Sequence, residues 1–121
     1  MPYRERLAEH IEKDFLGRSG VQRLKRGGSV SYAVGEEVFA FLSDDGVVLK
    51  LDHAQREALL HAPNARAYET DKPGKRDELV ELVLRSFMDV MTGMEWVRHA
   101  YVSAAKRANP PKKRRRGFFS R

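Results

Sequence analysis

Between residues 3 and 16 the apolar side chains Leu7, Ile11 and Phe15 recur at steps of four, with Ala8 beside them and Glu5, Glu9, Glu12 and Lys13 largely on the other face. That spacing predicts an amphipathic helix, which Gly17 ends. Between Gly20 and Gly27 only Val21 and Leu24 are apolar, which suggests a short helical turn or loop. The period then shortens to two. Val30, Tyr32 and Val34 alternate with Ser29, Ser31 and Ala33; Val38, Ala40 and Leu42 alternate with Phe39 and Phe41; Val47, Leu49 and Leu51 alternate with Val48 and Lys50. Tight turns at Gly35-Glu36 and Asp45-Gly46 would join these runs as an antiparallel meander.

Asp52, with Gln55 three residues later, resembles a capping box in which Asp replaces Ser or Thr. It opens a helix from His53 to about His61, which offers Ala58, Leu59 and Leu60 to a core and is stopped by Ala62-Pro63-Asn64. Residues 65–69 form a short strand candidate around Ala67 and Tyr68, and residues 71–75 have loop composition. Residues 77–86 fit two patterns. Val80, Leu82 and Leu84 alternate as in a strand, while Leu79, Val83 and Phe87 fit a helix face. A strand to about Arg85 is preferred, because residues 65–69 need a partner. A last helix, beginning between Asp89 and Thr92, carries the stripe Val97, Ala100, Tyr101, Ala104 and Ala105 up to Asn109-Pro110-Pro111. The expectation is an α+β, two-layer domain over residues 1–109 with an antiparallel five-stranded sheet in the order α-β-β-β-α-β-β-α. Residues 110–121 would be a basic, flexible tail.

Charge changes this picture more than composition does. The 121 residues include 23 Lys plus Arg and 17 Asp plus Glu, a net of +6. Residues 106–121 hold eight of the basic residues and no acid, which leaves 15 basic and 17 acidic residues in 1–105, a net of −2. Within the body only Arg18, Arg23, Lys25 and Arg26 cluster, with no acid between Asp14 and Glu36. Two segments are therefore candidate sites for nucleic acid or another polyanion: this one, and Lys112, Lys113, Arg114, Arg115 and Arg116 with Arg121. Phe118 and Phe119 beside the second could stack on bases.

Cysteine is absent, which excludes disulfides, thiolate catalysis and zinc or iron–sulfur sites built on thiolates. No apolar run approaches the roughly 20 residues of a membrane-spanning helix. The first twenty residues carry Glu5, Glu9, Glu12 and Asp14, lack an apolar core and do not read as a signal peptide, so a cytoplasmic protein is expected. His53, Glu57 and His61 share a helix face, but the two histidines lie about 12 Å apart along it, too far for one ion. No serine stands in a nucleophile elbow. Neither an enzyme nor a metal or cofactor requirement is expected. Gly17-Arg18-Ser19-Gly20 has the spacing of the backbone-clamping loop of KH domains, but a plain helix stop fits it better. Met88, Met91 and Met94 are expected to fill core gaps beside Trp96, and Trp96 and Tyr101 to pack the last helix on the sheet.

Several of these residues together resemble the amino-terminal domain of the TfoX/Sxy competence regulators and the related YjbR/MmcQ proteins. They are Gly27-Gly28, Gly35, Phe39-Ala40, Val48-Leu49-Lys50-Leu51-Asp52 and Glu95-Trp96, and the resemblance covers residues 3–107. It implies a helix–three strands–helix–two strands–helix order and a regulatory role without catalytic residues. Lys25-Arg26 stand where that family places Met-Phe, and Glu36 where it places a turn lysine. The alternative reading is a protein–protein adaptor or homodimer that uses an exposed sheet edge or the Met-rich helix.

Overall fold

The computed structural model describes residues 2–26, 28–68 and 79–108. Helix α1 (Pro2–Phe15) is followed by β1 (Val21–Arg26), β2 (Ser29–Val34), β3 (Glu37–Leu42) and β4 (Gly46–Lys50). Helix α2 (His53–Leu59), β5 (Ala65–Ala67), β6 (Leu79–Val83) and α3 (Phe87–Ala108) complete the chain. The strands form one antiparallel sheet in the order β1-β2-β3-β4-β6-β5. The α+β class, the antiparallel sheet and the three helices are as expected. The sheet has six strands rather than five, because Val21–Arg26 is a strand and not a helical turn or loop. Residues 71–75, Asn109-Pro110-Pro111 and the basic tail lie outside the described residues.

β1 escapes the hydrophobic pattern because it is an edge strand. Its six residues pair with β2 without a break, from Val21 opposite Val34 to Arg26 opposite Ser29. The residues on its helix side, Val21, Arg23 and Lys25, include two cations, so alternation of apolar and polar positions is lost.

One apolar cluster joins all three helices to one face of the sheet. Leu7, Ile11 and Phe15 from α1, Leu59 from α2, and Val90, Met94, Val97, Ala100 and Ala104 from α3 meet Tyr32, Val34, Phe39, Ala40, Val47, Leu49, Val80 and Leu82. A bulge places Phe39 and Ala40 together on this face: Tyr32 pairs with Ala40 and Ala33 with Val38, so Phe39 has no partner opposite. Simple alternation had put Phe39 and Ala40 on opposite faces.

The ends of the elements show how local chemistry sets them. The Asp52 side chain accepts the Gln55 N–H at 2.8 Å, as the capping pattern predicts, while the Gln55 side chain turns instead to Ser103 on α3. Helix α3 begins earlier than expected, because Ser86 caps it. The Asp89 N–H donates to Ser86 Oγ, and the Asp89 carboxylate accepts the Arg85 N–H. The two-residue turn Gly35-Glu36 is present, with Gly35 at φ 61°. The second turn differs. Ser43, Asp44 and Asp45 make the connection, and Gly46 is already the first residue of β4. Of the methionines, Met94 is buried, but Met88 and Met91 are 70% and 46% exposed and do not fill the core.

Candidate binding surface

The basic body segment is drawn apart by its own packing. The Arg18 guanidinium lies 4.6 Å from the Phe15 ring centroid and 5.0 Å from that of Tyr101, and its Nε donates to the Asp14 carbonyl. It caps an aromatic cluster instead of pointing out of a loop, and Gly20 leads into a strand instead of a helix. The arrangement departs from a backbone-clamping KH loop. Arg23 forms an ion pair with Glu12 on α1 at 3.2 Å. Lys25 is exposed and makes no ion pair among the described residues. Arg26 is the last residue of β1. Arg18 and Arg23 are therefore each engaged by groups of the body itself. Lys112, Lys113, Arg114, Arg115, Arg116, Phe118 and Phe119 lie outside the described residues.

Glu12 ties β2 to α1 as well as holding Arg23. The fully buried Tyr32 donates its hydroxyl to the same carboxylate oxygen at 2.8 Å. Burial, and then the adjacent Glu12 carboxylate, push the Tyr32 phenol well above its ordinary value of about 10. The unfolded chain releases this proton near that ordinary value, whereas the folded chain keeps it. The stability from this hydroxyl is therefore complete below about pH 10 and declines above it, by up to about 1.4 kcal/mol per pH unit. Tyr32→Phe should be less stable than the natural chain near pH 9, and the gap should narrow by about pH 11. Urea unfolding at both pH values measures it; a constant gap would contradict the buried, bonded phenol.

The sheet face away from the helices carries no helix among the described residues. Across it Phe41 pairs with Val48 and Val48 with Glu81, and β5 adds Arg66 opposite Glu81. Phe41 and Tyr68 meet edge to face at 5.5 Å. Glu81 is only 7% exposed and is satisfied on both sides, by Arg66 Nε at 2.9 Å and by Ser43 Oγ at 2.7 Å. The bond to Glu81 pushes the Arg66 guanidinium pKa higher still and keeps it charged. A shallow hollow of about 330 Å³ lies over Phe41, Ser43, Asp45, Arg66, Tyr68 and Glu81. Sequence reasoning missed this group. The signal available was a lone Glu81 inside the apolar run of residues 79–84, which requires a cation or hydroxyl on a neighbouring strand.

His53, Glu57 and His61 are exposed, and among the described residues no three His, Asp or Glu side chains are placed to hold an ion. Among the same residues no helix is long and apolar enough to cross a membrane. Comparison with family models, curated proteins and solved structures finds no match to the chain.

Proposed function

We propose that the protein is a non-enzymatic, regulatory binding protein that engages nucleic acid or another polyanion through residues 112–121, and that it is a relative of the TfoX/Sxy amino-terminal domains. The observation that carries the binding reading is the division of charge: +8 in residues 106–121 against −2 in the remainder. The engagement of Arg18 by Phe15 and Tyr101, and of Arg23 by Glu12, supports the same view, because it leaves fewer free cations on the body for a polyanion. Support for the kinship comes from the quoted motifs, which cluster in the β2–β4 meander and at Glu95-Trp96 in α3. The additional strand β1 is a departure from the order that the resemblance implies.

The end of α3 adds a geometric argument. Ala108 packs against Gly35, where a Cβ would stand 3.4 Å from the Ala108 methyl, and Gly35 N–H donates to the Gly20 carbonyl. Ala108, the last described residue before the basic segment, thus lies at the sheet end where β1 begins.

Five consecutive cations helped by Arg121 would displace about four to six counterions, for a log–log salt slope of about −4 to −5 on duplex DNA. Affinity should fall on the order of 10²–10³-fold between about 50 and 200 mM salt, with little dependence on sequence. The test is titration of labelled DNA with the whole chain and with a chain stopped at Asn109. Loss of binding on truncation is expected. Equal binding by the truncated chain would move the site to Arg18, Arg23, Lys25 and Arg26. Absence of binding by either at low salt would remove the nucleic-acid reading in favour of an adaptor.

A further inference from the structure

We infer that the outer edge of β1 is a docking site for an extended acidic peptide, which adds to the sheet as a seventh, antiparallel strand with acidic residues facing Arg23 and Lys25. The inference is independent of the polyanion reading above.

The hydrogen-bond phase of the ladder shows which groups β1 offers. Gly35 N–H donates to the Gly20 carbonyl at 2.9 Å, and Gly20 and Gly35 continue the register in which Val21 faces Val34. In an antiparallel ladder bonded and non-bonded pairs alternate, so Gln22 and Leu24 turn their main-chain groups toward β2. Val21, Arg23 and Lys25 turn theirs outward. Val21 agrees, since its N–H donates away from the sheet, to the Arg18 carbonyl at 3.2 Å. Arg23 and Lys25 each present an outward N–H and C=O that no described residue meets. β5 forms the opposite edge of the sheet.

Side-chain charge then selects the occupant. A strand bonded to Arg23 and Lys25 sets its own residues directly opposite them, on the same face. Arg23 is 44% exposed and uses Nη1 on Glu12, and Lys25 is exposed without an ion pair. Acids at alternate positions of the incoming strand meet both. The residue between them falls beside Leu24, which with Val38 and Ser31 lines a shallow groove of about 450 Å³ on the helix-free face. An apolar side chain suits that place. A second copy fits poorly: the two antiparallel registers that overlap β1 with itself most fully set Arg23 against Arg23 or against Lys25, and like charges directly opposite repel. The basic segment 106–121 is repelled for the same reason. A nucleic acid could satisfy the cations but cannot continue the main-chain ladder.

The experiment uses the whole chain and a labelled peptide alternating glutamate with valine, beside one alternating lysine with valine. Saturable binding of the first alone is expected, with slowed amide hydrogen exchange at Arg23 and Lys25. Lys25→Pro removes an N–H that β2 does not use and should abolish that binding. Lys25→Glu should weaken it roughly tenfold or more. No saturable binding up to about 1 mM would overturn the inference. So would binding that leaves the Arg23 and Lys25 amides unprotected, which is the signature of attraction to residues 112–121 alone. Equal binding by a folded Lys25→Pro, or protection of those amides by an oligonucleotide and not by the peptide, would overturn it too. If Lys25→Pro fails to fold, exchange in the natural chain decides.

Discussion

Gly46→Ala should destabilise the protein by about 3 kcal/mol, lowering Tm by roughly 10 °C. A Cβ on Gly46 would land on the Leu82 carbonyl oxygen, with the Leu82 carbonyl carbon at 2.9 Å and Val83 Cα at 3.1 Å. These are backbone atoms of β6, and no rotamer change can move them aside. Relief requires β4 and β6 to separate, which breaks the ladder from Gly46–Val83 to Lys50–Leu79 and opens the core behind Val47 and Leu49. Gly93 in α3 is the internal control. The nearest atoms to a Cβ there belong to the Leu7, Leu84 and Leu82 side chains, at an ordinary 3.8–3.9 Å, and Ala is the better helix former. Gly93→Ala should be neutral or stabilising by up to about 1 kcal/mol. Thermal unfolding of both variants decides the matter. Equal midpoints for Gly46→Ala and the natural chain would show that the close approach is wrong.

Phe39→Ala should cost about 3–5 kcal/mol in urea unfolding. The bulge sends this fully buried ring into the core, 5.9 Å from Phe15 and 5.6 Å from Tyr101, which are themselves 5.1 Å apart. Removing it opens a cavity between α1, α3 and the sheet, and it undermines the two rings on which Arg18 rests. Those rings belong to the close-packed core and cannot collapse inward without moving both helices. Phe41→Ala, on the helix-free face where the ring is half-buried against Tyr68, should cost distinctly less. Equal losses for the two would contradict the bulge, since simple alternation places Phe39 and Phe41 on one face.

Much of the architecture was legible because it rests on local periodicity. Leu7, Ile11 and Phe15 are four apart and form the buried stripe of α1. The cap at Asp52 and the turn at Gly35-Glu36 each depend on a few neighbouring residues, whereas the local pattern of residues 77–86 fits strand and helix alike and the strand reading rests on the partner that residues 65–69 need. The start of α3 is legible too, in Ser86-x-x-Asp89, whose capping bonds lie ahead of the apolar stripe. The candidate surface was much less legible. Four clustered cations suggested one basic patch, yet Arg18 rests on its near neighbour Phe15 and on Tyr101 of α3, and Arg23 pairs with Glu12 of α1, partners that for Tyr101 and Glu12 only helix docking brings close.

The sequence by itself determined the α+β class, the three helices, the β2–β4 meander and the separation of a mildly acidic body from a basic segment. These follow from period, turn chemistry and charge count, which act over a few residues or need no geometry. Only the tertiary structure decided that Val21–Arg26 is an edge strand, that Phe39 turns inward at a bulge, that Gly46 serves close strand approach, and that Arg66 and Ser43 neutralise the buried Glu81. Each of these depends on what a distant segment places opposite. An edge strand is stabilised by its neighbour's ladder, a bulge by the core that receives its extra residue, and a buried acid by a cation on another strand.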